Sequence, residues 1–139
     1  MGFVEKDGKI ELKTTGELKR LVGYMDISIN GMELEHVGVL WDTGATDTAV
    51  DKGLFDKIPD AKLDSATMST FGGTVLKEYF EGDVRICGEE IKDLRIVVNE
   101  GLKSEHYVDI VFGMDIIQHG KMIIDGTGEE KKFQFSLRK

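Results

Sequence analysis

Two segments of this chain carry the same pattern 57 residues apart, and this repeat constrains the fold more than any other feature. Residues 26–34 (DISINGMEL) align without a gap with residues 83–91 (DVRICGEEI), and the apolar pattern continues beyond both. Asn30-Gly31 between alternating stretches is a strong signal for a two-residue β-hairpin turn. Two copies are too few for a solenoid. The pattern therefore predicts two similarly folded halves of one β domain; the alternative is that any two hairpins look alike.

The first repeat leads into an apolar run, residues 37–41 (VGVLW), that ends abruptly in Asp42-Thr43-Gly44. An ionised carboxylate beside a buried strand is costly unless it is partnered or shares its charge. Gly44 allows conformations that other residues resist, and the Thr43 hydroxyl can donate and accept hydrogen bonds. The same three residue types also make ordinary turns after strands. The triplet therefore needs support from the rest of the chain.

Composition limits the possible functions. The 139 residues suit one domain with a core. The net charge of −8 argues against nucleic acid as a partner. Cys87 is the single cysteine, so no intrachain disulfide can form, and the three histidines lack the spacing of a zinc site. No apolar segment is long enough to span a membrane, and the charged start does not resemble a secretory signal. We expect a cytoplasmic protein without metal, cofactor, nucleic-acid or membrane partner.

Turn residues divide the chain into short elements. The sequence predicts a first hairpin at Asp7-Gly8, a helical turn within 51–58, a mobile hairpin over 68–80 joined at Gly72-Gly73, a loop over 99–107, a short strand over 109–113, a brief helix over 114–119 closed by Gly120, and a last hairpin across 126–128.

Taken in order, these features resemble the retropepsin family, the single-domain aspartic proteases best known from retroviruses. The resemblance covers residues 24–120 and rests on four motifs: the hairpin into Asp42-Thr43-Gly44-Ala45, Phe71-Gly72-Gly73, the turn at 86–88 (ICG), and residues 110–113 (IVFG) followed by 115–117 (DII). It implies an all-β fold, a closed, pseudo-two-fold β-barrel with one short C-terminal helix and a β-hairpin flap. Residues 24–139 would form the protease domain. Residues 1–23 would be an N-terminal extension that joins the interface or masks the cleft.

The resemblance also implies an activity. The chain would be an aspartic endopeptidase that hydrolyses extended peptides with a water activated by an Asp dyad, formed across a homodimer. Two adjacent carboxyl groups share a proton and act as base and acid. An alternative is a catalytically silent dimerisation or peptide-binding module with the same fold; another is an unrelated ligand-binding β-barrel. The implied roles are catalysis by Asp42, active-site support by Thr43 and Gly44, and substrate binding by Ala45, Thr46, Asp47, Phe71, Gly72 and Gly73.

The chain departs from the family at two linked positions. Thr46 stands where retroviral members usually carry an aspartate, and Met114 where they carry an arginine. Losing both leaves neither charge unpaired, so we expect a different network behind the site. Asp125-Gly126-Thr127 offers a second apolar-to-Asp motif, which we interpret as a hairpin turn. We interpret Asp115 as a helix cap.

Overall fold

The computed structural model describes residues 2–137, with the backbone only at 68 and 70. This part of the chain is mostly β-structure, and the predicted all-β class is confirmed. The strands are β1 Val4–Lys6, β2 Lys9–Thr14, β3 Val22–Ile29, β4 Met32–Trp41, β5 Ala49–Asp51, β6 Asp64–Thr70, β7 Gly73–Ile86, β8 Glu89–Asn99, β9 Ile110–Phe112, β10 Gly120–Asp125 and β11 Lys131–Leu137. The helices are α1 Lys52–Phe55, α2 Leu102–His106 and α3 Met114–Ile117.

Seven strands form one sheet in the order β3-β4-β9-β5-β8-β7-β6. Because β3 also pairs with β7, six of these strands close into a ring, to which β6 is attached. The pairs β4–β9 and β5–β8 are parallel, whereas the other pairs in this sheet are antiparallel. The end of a strand from one half of the chain thus lies beside a strand from the other half.

The internal repeat is confirmed in the backbone. Asn30 and Cys87, at equivalent positions, both have a φ of 52°, and each is followed by a glycine with positive φ. The equivalent carboxylates of Asp26 and Asp83 each accept a 2.9 Å hydrogen bond from the main-chain N–H of the residue ten positions later. Ser28 pairs with its own repeat equivalent, Arg85. The two halves are therefore related by a local pseudo-two-fold axis at this pair.

A second sheet, in the order β1-β2-β11-β10, unites the two ends of the described chain. The hairpins predicted at Asp7-Gly8 and across 126–128 are both confirmed. Aromatic side chains of this sheet pack against Trp41, with ring centroids 5.4 Å from Phe133 and 4.7 Å from Phe135. The strand that leads into Asp42 is therefore anchored by both sheets.

Two of the three helices in the described chain lie where the sequence predicts them, α1 within residues 51–58 and α3 within residues 114–119, whereas α2 was not predicted. The segment 99–107, predicted to be a loop, contains α2. Leu102 is buried there against Val108 and Val111, and a carboxylate distant in sequence, Asp51, accepts a 2.9 Å hydrogen bond from the N–H of Lys103. Tertiary contacts thus stabilise a helix that is too short to form alone.

Gly120 does not close the helix as predicted. α3 ends at Ile117, and Gln118 caps it in a right-handed conformation that does not require glycine. Gly120 begins β10 instead, where a Cβ atom would collide with the Ser136 carbonyl oxygen and the Phe135 ring. Close strand packing explains the glycine here. Within residues 2–137, no helix is both long and apolar enough to cross a bilayer.

Candidate active site

Asp42 is the first residue after β4. Its N–H donates a 2.9 Å hydrogen bond to the carbonyl oxygen of Phe112. Trp41 and Phe112 are the last paired residues of the parallel strands β4 and β9, so this hydrogen bond extends their pairing by one residue. The Trp41 side chain is buried, whereas that of Asp42 is half-buried. The strand therefore presents this carboxylate where the apolar core meets the surface.

The residues after Asp42 form a tight turn around its carboxylate. The N–H of Gly44 donates a 2.8 Å hydrogen bond to Asp42 Oδ1, and the N–H of Ala45 donates to the Asp42 carbonyl oxygen at 3.2 Å. A Cβ atom on Gly44 would lie 3.2 Å from the same Oδ1, so a side chain would crowd the carboxylate. Thr43 and Gly44 are exposed at the surface. The turn thus fixes one carboxylate oxygen by a main-chain hydrogen bond.

Behind this turn lies a polar network that the sequence interpretation missed; Thr48 in it is buried and Asp115 is half-buried. The Thr48 hydroxyl donates a 2.7 Å hydrogen bond to Asp115 Oδ1, and the Thr48 N–H donates to Asp115 Oδ2 at 2.9 Å. The same hydroxyl accepts a 3.3 Å hydrogen bond from the N–H of Gly113. Asp115, within α3, therefore joins this helix to the loop that carries Thr48. Its interpretation as a helix cap is wrong, because the N-cap of α3 is Gly113 and no side chain caps the helix.

The loop over residues 45–48 lies directly on the start of α3. The N–H groups of Met114 and Asp115 donate to the carbonyl oxygens of Ala45 and Thr46 at 2.8 and 3.2 Å. A Cβ atom on Gly113 would approach the Ala45 carbonyl oxygen to 2.8 Å, so only glycine allows this contact. Because Thr46 and Met114 are uncharged, the sequence predicted a different network behind the site. The main-chain contacts and the Thr48–Asp115 pair form that network.

A surface groove of about 330 Å³ runs beside this loop. Three predicted substrate-binding residues, Ala45, Thr46 and Asp47, line it together with Gly44. Residues that sequence reasoning did not identify complete the lining: Ala49, Ser69, Lys77, Val97, Asn99 and Val111. Burial raises the pKa of Asp47, and the nearby Asp115 carboxylate raises it further, while Arg95 and Lys77 partly offset the shift.

The predicted hairpin is formed by β6 and β7, with Thr70 opposite Gly73. The turn consists of Phe71 and Gly72, and Gly73, with a φ of +112°, is the first residue of β7. The Phe71 side chain is fully exposed. Ser69 and Lys77 from the hairpin stem border the groove, but Phe71, Gly72 and Gly73 at the tip are not among the described residues that line it.

The second half of the chain repeats the turn at Asp42 with a different side chain. Asn99 occupies the position 57 residues after Asp42, and its Oδ1 accepts a 2.8 Å hydrogen bond from the N–H of Gly101, as Asp42 does from Gly44. Extending the repeat alignment past Trp41 would have identified Asn99-Glu100-Gly101 from the sequence. Asn99 carries an amide, so it cannot supply a second carboxyl group.

Asp125, the rival second motif, lies in a hairpin, as predicted. It pairs with Lys132 at the end of β10, and its Oδ1 accepts hydrogen bonds from the Thr127 N–H at 2.9 Å and hydroxyl at 2.6 Å. These hydrogen bonds lower the pKa of this fully exposed carboxyl group. Asp125 thus stabilises a turn.

Comparison with known proteins agrees on the fold. No protein-family model and no curated protein matches the sequence. A retropepsin-like aspartic protease from Rickettsia conorii has a similar structure, with a TM-score of 0.55 and 18% identity over 94% of each chain. The EIAV protease, solved with an inhibitor, gives a TM-score of 0.52 and 22% identity over 72% of this chain and 86% of that chain. The chain therefore has the fold of retropepsin-like aspartic proteases.

Proposed function

We propose that the protein is an aspartic endopeptidase, active as a homodimer that pairs two copies of Asp42. The observation that carries this proposal is the placement of a half-buried carboxylate at a strand end, in a glycine turn that hydrogen-bonds one of its oxygens. The turn opens beside a groove, within a fold like that of known proteases. We assign Asp42 as the catalytic residue, with Thr43 and Gly44 supporting its turn.

The chemistry follows from two carboxyl groups held close together. Like charges at short distance cannot both ionise easily, so the pair retains one proton. The ionised carboxylate accepts a proton from water as the oxygen attacks the peptide carbonyl carbon, while the protonated carboxyl group donates to the carbonyl oxygen. Collapse of the tetrahedral intermediate transfers a proton to the leaving nitrogen and breaks the C–N bond. A homodimer supplies the second carboxyl group because Asn99 carries an amide and Asp125 lies in a hairpin turn.

The groove supports binding of an extended peptide. Its lining combines apolar residues such as Ala45 and Val111 with the charged residues Asp47 and Lys77. Extended peptides are recognised by main-chain hydrogen bonds together with pockets for alternate side chains. We assign Ala45, Thr46 and Asp47 to substrate binding, and Phe71, Gly72 and Gly73 to a flap that closes over the bound peptide. We propose a cytoplasmic location, because the single cysteine, Cys87, leaves no intrachain disulfide that an oxidising compartment would favour.

The test is cleavage of a mixed peptide library by the wild type and Asp42→Asn from acidic to neutral pH, with sedimentation of the same samples. The variant should lose cleavage by at least about 1,000-fold, because one substitution removes both carboxyl groups of a symmetric pair. It should retain its thermal unfolding temperature and its dimer.

Asp60→Asn is the matched control, since Asp60 is exposed and lies outside the groove. This control should cleave like the wild type. Cleavage by purified Asp42→Asn at the wild-type rate would refute the catalytic assignment. A wild-type dimer that binds but does not cleave peptides would support the binding module instead.

A further inference from the structure

The groove beside Asp42 contains a cationic side chain, Lys77, that the proposed chemistry does not use. Lys77 lies on β7, in the stem of the hairpin, and is half-buried, whereas lysine side chains are mostly exposed. Within the described part of the chain it forms no ion pair. A half-buried ammonium group that lacks an anionic partner and borders a groove is suited to an anionic ligand.

The strand register explains why Lys77 has no ion pair. On one side it lies opposite Ala66 of β6. On the other side Glu78 pairs with Val98, so the next position along these antiparallel strands places Lys77 beside Asn99. Both cross-strand neighbours of Lys77 are therefore uncharged.

Asn99 adds a second hydrogen-bond donor beside the ammonium group. Its Oδ1 accepts the N–H of Gly101, which fixes the orientation of the amide. The NH₂ group of Asn99 is therefore left to bind a ligand in the groove, which Asn99 also lines. An ammonium group and an amide NH₂ group can donate to the two oxygens of one carboxylate.

Arg95 is a second cation near the groove, but its neighbours already engage its charge. It lies opposite Glu81 across the strands, and its guanidinium group lies 4.6 Å from the ring centroid of Tyr79. Opposite charges across strands stabilise each other. Lys77 therefore provides the positive charge that remains available to a ligand.

Asp47 also lines the groove, and its ionised form would oppose an anionic ligand. Burial and the Asp115 carboxylate raise the pKa of Asp47, so the ionised form is disfavoured. A protonated carboxyl group can donate a hydrogen bond to a carboxylate. The opposition from Asp47 is therefore weakened.

Lys77 and Asp42 lie too far apart to contact the same residue of an extended peptide. Their strands, β7 and β4, are separated by four strand spacings around the sheet, about 19 Å. The strands between them carry Val111, Ala49 and Val97 at one level. A peptide that extends from Asp42 across these apolar residues reaches Lys77 several residues from the scissile bond.

We propose that Lys77 and Asn99 form a specificity site for an acidic side chain of the peptide substrate, several residues from the scissile bond. The Lys77 ammonium group pairs with the substrate carboxylate, and the Asn99 NH₂ group donates a hydrogen bond to it. The inference rests on the proposed function, because it names the substrate class of the same groove. Both residues select the peptide and take no part in the proton transfers.

Peptides that differ in one side chain test this specificity. Each position within about six residues of the scissile bond carries Glu, Gln or Lys in turn, and kcat/KM is measured for every peptide. At the position that reaches Lys77, the wild type should cleave the Glu peptide about tenfold faster than the isosteric Gln peptide. Added salt should reduce this ratio, because it screens an ion pair at a partly exposed site.

Substitutions in the site should change this ratio in different directions. Lys77→Met removes the charge and should lower the Glu-to-Gln ratio to about one, whereas Lys77→Glu should make the Lys peptide the preferred one. Asn99→Asp keeps an oxygen for the Gly101 N–H but replaces the NH₂ donor by an acceptor, so it should also lower the ratio. Lys13→Met, at an exposed strand lysine outside the groove, is the matched control and should keep the wild-type ratio. Thermal unfolding of each variant shows that it is folded.

Peptide binding without cleavage separates this inference from the proposed function. In Asp42→Asn, the fluorescence anisotropy of labelled Glu, Gln and Lys peptides should show the same tenfold preference for Glu, and adding Lys77→Met should abolish it.

Three outcomes would overturn the specificity site and leave the protease: equal cleavage of Glu and Gln peptides by the wild type at every position, a Glu preference that survives Lys77→Met, or a preference for Lys. A Lys77-dependent preference for Glu in binding, without cleavage by the wild type, would leave the site and exclude the protease. A protein that neither binds nor cleaves any of the peptides would overturn both.

Discussion

Replacing Thr48 by valine is the sharpest test of how the candidate site is held in place. Thr48 is fully buried, and valine has nearly the same shape, so the substitution removes the hydroxyl group without opening a cavity. Two hydrogen bonds disappear: the 2.7 Å bond to the Asp115 carboxylate and the 3.3 Å bond from the Gly113 N–H. The main-chain bond from Thr48 to Asp115 can remain.

The magnitude follows from those two bonds. A hydrogen bond to a charged group contributes about 1.5–3 kcal/mol, and an unsatisfied buried N–H costs about 1–3 kcal/mol. The long Gly113 contact belongs at the lower end, and the more apolar valine offsets about 1 kcal/mol. We therefore expect Thr48→Val to lower the free energy of unfolding by about 2–3 kcal/mol. The exposed Thr46→Val should change it by less than about 0.5 kcal/mol.

Urea unfolding followed by tryptophan fluorescence measures this loss, since Trp41 is the single tryptophan and is buried. All variants are compared at one protein concentration because a dimer makes stability concentration-dependent. Thr48→Ser separates the causes: it keeps the hydroxyl and loses only a buried methyl group, about 1 kcal/mol. A Thr48→Val protein as stable as the wild type, or a Thr48→Ser protein as unstable as Thr48→Val, would refute the reasoning.

Two ionisable groups give further predictions. Burial and Asp115 raise the pKa of Asp47, so the folded state holds this proton more tightly than the unfolded state. The free energy of unfolding should therefore fall as the pH rises from about 3.9 through the folded-state pKa, and Asp47→Asn should remove that fall in urea titrations at several pH values. The same dependence of the free energy of unfolding on pH in the wild type and in Asp47→Asn would contradict this. Burial, with Glu5, raises the pKa of the Cys87 thiol to about 11. The thiol should therefore react with a disulfide reagent at neutral pH only when the protein unfolds. A Cys87 thiol that reacts in the folded protein as fast as a thiol in solution would contradict this.

Local turn chemistry made much of the fold predictable. Asn30-Gly31 requires left-handed backbone conformations that few other residue pairs adopt readily, so the hairpin follows from two residues. The repeat predicted the same turn at Cys87-Gly88, although cysteine gives no turn signal of its own. The turn at Gly44 could be expected in the same way, because its determinants lie within a few residues of Asp42.

The network behind the site could not be predicted, because its contacts join distant parts of the chain. Thr48 and Asp115 are separated by 67 residues, and nothing in the sequence around either indicates the other. The same reason explains why α2 was missed, since Asp51 stabilises it across 52 residues. Turn signals act locally, whereas these contacts exist only after the ring of strands has closed.

The two equivalent turns also explain why one chain would be an incomplete protease. Four neighbouring strands are in register at Leu40, Val111, Ala49 and Val97. Asp42 lies two residues after Leu40 in β4, and Asn99 lies two residues after Val97 in β8. Because β8 runs antiparallel to β4, Asp42 and Asn99 lie on opposite sides of this level. At about 3.3 Å per residue, their positions differ by about 13 Å along the strands. Carboxyl groups that far apart cannot share a proton, so even an aspartate at position 99 would not complete a dyad. The pseudo-two-fold axis within the chain pairs Ser28 with Arg85, and only an axis between two chains can pair Asp42 with its own copy.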